Sequence, residues 1–312
     1  MKMAKTALAV SLVTLFAQPV MAVDLTVYGK ANVTVQSSDD GDGSFTEIKS
    51  NASRFGVKGG QKLDDELSVV YKMEWQVDVS DESGEKNLKS RNQYVGLNGS
   101  FGEVLIGRND TALKQSQGKI DLFNDLEADI KTLWKAGGNG ENRMGDSITY
   151  KTPKMNGFQF IGTVIAEDTK DADNGYSAAL LFGDSKLKKS KIFASFAADS
   201  DVKGYDIMRA TVQSKLGDIK LGAMYQTQES TGEVKYESDG YALNAAYGLG
   251  KATLKAQYQS IDFDGGDNKN VVSVGVDYKL AKNTKLFGFY STFDNDSSED
   301  ESYLGLGIEY KF

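Results

Sequence analysis

The sequence has no cysteine and no histidine, and only two of its 312 residues are proline. Without cysteine the chain can form no disulfide, and without either residue it offers no thiolate, no imidazole and no ordinary zinc site. Ser-His-Asp and Cys-His hydrolases are excluded with them, which leaves carboxylate or Ser/Lys chemistry as the only catalytic routes, so an enzyme is not expected. Long apolar runs are missing as well. After residue 22 no stretch of about 18 consecutive apolar residues occurs, so no helix of the mature chain is expected to cross a bilayer. No cofactor is expected.

What is present begins with a leader. Met1 to Lys5 is basic, Thr6 to Phe16 is largely apolar, and Val20-Met21-Ala22 is a small-residue cleavage site, so residues 1–22 read as a secretory signal peptide and the mature chain as Val23 to Phe312. The mature chain carries 34 basic against 44 acidic side chains, a net charge of −10, which argues against a nucleic-acid partner. Thirty-three glycines, 15 tyrosines and 15 phenylalanines favour strands over helices. Mean hydropathy below zero fits a soluble secreted β-protein, but also a membrane barrel, whose strands turn only every second residue toward lipid.

Alternation decides between these. Leu25, Val27, Gly29, Ala31, Val33 and Val35 fall on one parity, and Thr26, Tyr28, Lys30, Asn32, Thr34 and Gln36 on the other. That is a long strand with one apolar and one polar face. The pattern returns at Leu67 to Asp78. Further candidates are Ser53 to Gly60, Arg91 to Gly99, Glu103 to Arg108, Ser147 to Lys151, Phe158 to Asp168 and Gly175 to Phe182. They continue with Lys191 to Asp199, Gly204 to Leu216, Ile219 to Gln228, Gly240 to Tyr247, Lys251 to Phe263, Asn270 to Leu280, Thr284 to Phe293 and Ser302 to Phe312. Sixteen strands are an even number, as a closed antiparallel transmembrane barrel requires. In Arg91 to Gly99, Phe158 to Asp168, Lys191 to Asp199 and Thr284 to Phe293 apolar residues occupy both parities, which leaves their register open.

The connections alternate too. Short turns such as Leu216-Gly217-Asp218 are followed by longer acidic segments such as Ser37 to Lys49, Val79 to Ser90, Glu229 to Ser238 and Asp294 to Glu301, an asymmetry between rims typical of outer-membrane barrels. Asp39 to Gly43, Asp171 to Gly175 and Asp294 to Asp296 carry oxygen ligands but lack a full calcium loop; they read as external loops in reach of divalent ions that bridge lipopolysaccharide. One connection, residues 109–146, is far longer than the others. It holds a helical period, Ile120, Phe123, Leu126, Ile130 and Leu133, with Asp121, Asp125 and Asp129 expected on another face. A long ordered loop of this kind is usually functional.

Taken in order, Leu25 to Lys30, Ser53 to Gly59, Tyr94 to Leu97 running into Phe101 to Arg108, Arg143, Ser147 to Tyr150 and the terminal Gly305 to Phe312 resemble the general diffusion porins of Gram-negative outer membranes. The resemblance implies a homotrimer of sixteen-stranded barrels, each with its third external loop folded into the lumen. It implies a water-filled channel for passive diffusion of small hydrophilic solutes, with outer-membrane lipid, lipopolysaccharide and the barrel assembly machinery as partners. By the motif matches, Lys30, Arg54, Arg91 and Arg143 resemble the basic wall of the constriction, Arg91 on the condition that Tyr94 and Gly96 face outward. Asp121, Asp125, Glu127 and Asp129 of the loop are the acidic candidates facing them, and Phe312 resembles the terminal assembly signal. Arg108 shares the apolar parity of Val104 and Ile106 and is expected near a subunit interface. Acid in the mouth and loop leads to an expected weak cation preference. A substrate-specific porin and a structural or adhesive barrel are the alternatives.

Overall fold

The computed structural model describes residues 24–80, 87–134, 140–170, 173–266, 268–296 and 298–312; the leader, its cleavage after Ala22 and the mature terminus at Val23 lie outside the described residues. Sixteen strands follow one another in antiparallel order. They are β1 (Asp24–Asp39), β2 in two parts (Ser44–Ser50 and Arg54–Lys62), β3 (Leu67–Val77), β4 (Leu88–Gly99), β5 (Gly102–Asp110) and β6 in two parts (Arg143–Met144 and Ser147–Lys151). Then come β7 (Phe158–Ile165), β8 (Gly175–Gly183), β9 (Ile192–Ser200), β10 (Tyr205–Leu216) and β11 (Ile219–Ser230). The last are β12 (Glu237–Leu249), β13 (Ala252–Phe263), β14 (Lys269–Ala281), β15 (Thr284–Asn295) and β16 (Glu301–Lys311). Pairing of β1 with β16, from Lys30↔Lys311 to Asp39↔Ser302, closes the sheet and leaves no open edge.

The wall is inside out relative to a soluble protein. On β1, Asn32, Thr34, Gln36 and Ser38 are buried, whereas Val35 is 54% exposed. The outward parity elsewhere carries Leu180, Met208, Val274 and Leu306, all exposed. A sheet that hides polar side chains and shows apolar ones, with its backbone paired all round, suits hydrocarbon outside and water inside. Tyr225, Tyr278, Tyr290 and Tyr310 stand exposed on this outer face, as aromatics at a membrane interface do.

Several connections are shorter than the composition suggests, because the strands run on into them. β1 and β2 pair to Asp39↔Ser44, so most of Ser37 to Lys49 is hairpin rather than loop, and Glu229 to Ser238 and Asp294 to Glu301 shrink in the same way. Cross-strand hydrogen bonding persists beyond the apolar band because polar residues pair as well as apolar ones. Asp39 organises its own hairpin, accepting from the Gly41 N–H at 3.2 Å and the Ser44 hydroxyl at 2.8 Å. At the opposite rim, Gly217 and Gly250 take φ +60°, a left-handed conformation that glycine enters without a Cβ clash.

Two strands contain an extra residue. β2 breaks at Asn51–Ser53, where Ala52 has φ +47°, and β6 breaks before Asp146, also at φ +47°. In β2 the extra residue reverses which parity faces the lumen, from Glu47 and Lys49 before it to Arg54 after it, whereas Arg143 lies on the same inward parity as Ser147 and Thr149. A third irregularity sets Arg91 and Asn92 opposite Glu74, between the pairs Met73↔Gln93 and Trp75↔Ser90.

The segment between β5 and β6 lies against the inner wall. Among the described residues it forms two short helices, α1 (Ala112–Ser116) and α2 (Ile130–Leu133), and not the longer helix its period suggests. Asp125 at φ +70° interrupts it, while turns such as Leu126 N–H to Phe123 C=O keep the three-residue spacing. The apolar period survives as packing. Ile120, Phe123, Ile130 and Trp134 cluster with Met224, Ile261, Val271, Phe287 and Phe289 of β11 to β15, and Ala112 and Leu113 cluster with Ile161, Ala179, Ala197 and Ile207 of β7 to β10. This explains the strands with apolar residues on both parities: Ile161 and Ile165 on β7, Phe193 and Ala197 on β9, and Phe287, Phe289 and Phe293 on β15 all point inward and are buried.

Candidate functional site

Polar side chains from the wall hold the backbone of this segment. Gln257 accepts from Leu122 N–H at 2.9 Å, Gln259 donates to Ala128 C=O at 2.8 Å, Lys255 donates to Leu122 C=O at 2.9 Å and Gln213 accepts from Lys119 N–H at 3.1 Å. Ser177 accepts from Leu113 N–H at 2.9 Å and Ser195 donates to Ser116 C=O at 2.7 Å, at the other end. A segment pinned along β8 to β13 presents its remaining side to β1 to β6.

There the basic candidates lie. Lys30 and Arg54 are directly cross-strand, and both bind one oxygen of Asp125, Lys30 at 2.5 Å. Arg91 pairs with Glu74 at 2.8 Å, and Lys72 reaches the same carboxylate at 3.3 Å. Arg143 pairs with Asp110 at 2.8 Å, shared with Lys114 at 3.6 Å. Glu74 and Asp110 each sit between two cations, so those two groups retain one positive charge, whereas Lys30 lies 3.8 Å from Glu309 as well and its group with Arg54 is balanced. The pattern recurs nearer the other rim, where Asp277 lies 2.9 Å from both Lys255 and Lys285.

The four basic candidates therefore share one wall, but the four acidic ones do not form a row facing it. Asp125 alone meets Lys30 and Arg54. Glu127 pairs with Lys49 and accepts from Gln36 at 3.0 Å, toward the mouth. Asp129 is buried and caps α2, accepting from Lys131 N–H at 2.9 Å and from Asp125 N–H at 2.7 Å. Asp121 turns into the packing, where it accepts from Phe123 N–H at 2.9 Å, Ile130 N–H at 3.0 Å and Gln257 at 3.2 Å. Burial, with the Asp129 carboxylate close by, pushes the Asp121 carboxyl above the usual carboxylate range. The expectation of a common face fails because a turn, unlike a helix, lets short acidic side chains fold back onto their own N–H groups.

Arg91 reaches the lumen by a route the alternation does not contain. Val95 and Leu97 are exposed on the outer face, so Tyr94 and Gly96 face inward, opposite to the condition set for Arg91. The bulge opposite Glu74 shifts the parity once more and returns Arg91 to the inside. Arg108 stays opposite Gln93 on the side of Val95 and Ile106, and its Nε lacks a hydrogen-bond partner. Glu74, Asp110 and Lys114 were not among the candidates. Glu74 has the lumen parity of Lys72, the one signal that could have found it. Phe312 pairs with Gly29, its C=O accepting from Gly29 N–H at 3.0 Å, and its ring stacks on Tyr310.

Between wall and segment lies a cavity of about 650 Å³ bordered by Arg54, Arg91, Arg143, Lys114, Lys119 and Asp125 among others; eight basic and four acidic side chains line it. A closed barrel with an apolar outside and a charged passage inside has the build of a channel, and residues 6–298 match the Gram-negative porin family. The chain belongs to the Gram-negative porin family. This porin is 26% identical to the major outer membrane protein P.IB of Neisseria lactamica, over 96% of this chain and 98% of that one. Its barrel superposes on the anion-selective porin from Comamonas acidovorans with a TM-score of 0.80 at 19% identity, over 93% of this chain and 100% of that one. It superposes on the trimer form of OmpT from Vibrio cholerae with a TM-score of 0.68 at 16% identity, over 93% and 100%. Family and fold place the porin in the outer membrane as a multi-pass β-barrel that forms a diffusion channel.

Proposed function

We propose that the segment between β5 and β6 narrows the channel, and that small hydrophilic solutes and ions pass between it and the β1 to β6 wall with a weak preference for anions. The observation that carries this is the sharing of Glu74 and Asp110 by two cations each, beside a cavity that eight basic and four acidic side chains line, which leaves a positive surplus at the passage. The net charge of the mature chain favours cations, as the sequence suggests, but acids beyond roughly 8 Å act through screened water. Charge beside a narrow, partly dehydrated passage acts at short range and outweighs it. Assembly as a homotrimer, with lipopolysaccharide around it and insertion by the barrel assembly machinery, completes the reading; the trimer form of a porin of the same fold supports the first.

Single-channel recording across a potassium chloride gradient tests it. Discrete conductance steps are expected, with a reversal potential on the chloride side. A reversal potential on the potassium side would refute the anion preference, and the absence of steps would refute the open passage.

A further inference from the structure

The charged residues of β8 to β16 are sorted along the barrel axis. At the rim that holds the start of β1 and the end of β16, the segments 184–191, 214–220, 250–253 and 279–285 carry ten lysines and two aspartates. At the rim of the longer connections, 199–206, 229–239, 262–269 and 294–301 carry, among the described residues, fourteen acids and three lysines. Short turns face the periplasm in barrels of this kind and longer loops face outward, so the lysine rim is the inner one.

Some of these charges face the lumen itself. Lys215 stands directly across from Lys220, and Lys279 across from Lys285; Lys285 reaches inward to Asp277. Like charges directly opposed on a sheet are unfavourable, and nothing in barrel closure asks for them. At the outer rim Glu301 accepts from the inward Tyr303 hydroxyl at 2.6 Å. Low-dielectric walls focus such fields along the water they enclose.

We infer that the lumen is a fixed-charge junction, negative outside and positive inside, and that it rectifies ionic current. The inference rests on the channel reading above. Cations gather in the outer vestibule and anions in the inner one. When the outer side is positive, cations move inward from their own reservoir and anions outward from theirs, so both accumulate at the aperture and conductance rises. When the outer side is negative, each ion must enter through the vestibule that repels it, the aperture is depleted and conductance falls.

Planar-bilayer recording of oriented channels tests this. A Gly232→Cys variant supplies the orientation marker, because the chain has no other cysteine and a Cβ at Gly232 would meet nothing within 4 Å. A membrane-impermeant maleimide added to one chamber identifies the side of the long connections. In about 0.1 M potassium chloride, where the screening length is about 10 Å, conductance at about 100 mV should be roughly 1.5-fold larger with that side positive, and the ratio should approach unity in about 3 M salt. Replacing Lys215, Lys220, Lys279 and Lys282 together by Gln should lower the ratio at 0.1 M. Equal conductance in both polarities, the opposite sign, or a ratio unaffected by salt would overturn the junction while leaving the channel intact; no conductance at all would overturn the channel reading instead.

Discussion

Asp121 and Asp125 lie four residues apart in one loop, yet the structure gives them unrelated work. Asp125 neutralises part of the charge of Lys30 and Arg54, so Asp125→Asn exposes two cations at the passage and should move the reversal potential further toward chloride, by several millivolts in a tenfold gradient. Asp121 is enclosed, and its raised titration means that the folded loop holds a proton more tightly than the unfolded one. Its contribution to loop docking is therefore complete below the ordinary carboxylate range and is lost as pH rises through its elevated value. Asp121→Asn should leave the reversal potential unchanged at neutral pH. Equal shifts in the two variants, measured side by side, would mean that Asp121 lines the passage after all.

At the scale of elements, the loop is a small amphipathic layer inside the barrel, and its docking is hydrophobic. Phe123 and Trp134 are fully buried between it and the inner wall, and truncating a buried Phe or Trp costs about 3–5 kcal/mol. Phe123→Ala with Trp134→Ala should free the loop from β11 to β15 without opening the barrel, because the strand ladders are untouched. The expected readout is a larger and noisier single-channel conductance with the outer-membrane level preserved. Unchanged conductance would show that the loop does not set the width of the passage. The same packing accounts for three of the four strands whose register alternation could not assign, β7, β9 and β15: their inward apolar residues are the floor on which the loop rests.

For the whole molecule, stability depends on closure, since an open edge in hydrocarbon leaves backbone groups without partners. Phe312 sits at that seam. Its backbone exchanges two hydrogen bonds with Gly29, and a Cβ at Gly29 would collide with its ring. Phe312→Ala removes ring packing at the seam along with the terminal aromatic of the proposed assembly signal. We expect a several-fold lower amount of heat-modifiable trimer in the outer membrane, with normal conductance in the molecules that do assemble. Parent and variant at equal levels on unheated gels would argue against both roles.

Period-two alternation over most of sixteen segments pointed to the barrel, because lipid and water on opposite faces of one wall impose that pattern wherever nothing apolar packs against the inner face. It also assigned Lys30, Arg54 and Lys72 to the lumen, and the length and period of residues 109–146 marked a connection whose described residues pack against inward side chains of the strands. What tertiary structure alone decided are the contacts made across bulges and turns. One extra residue in β2 or β4 reverses every parity beyond it, and a local φ above zero in the loop redirects Asp121 and Asp129 to their own backbone. The pairing of charges at the passage followed the same way: the acidic excess is legible in the composition, but which carboxylates stand beside which cations depends on strands and loop residues far apart in the chain. Alternation is a nearest-neighbour property of the sequence. The pairing of charges in a lumen is not, and only closure of the barrel around its loop fixes it.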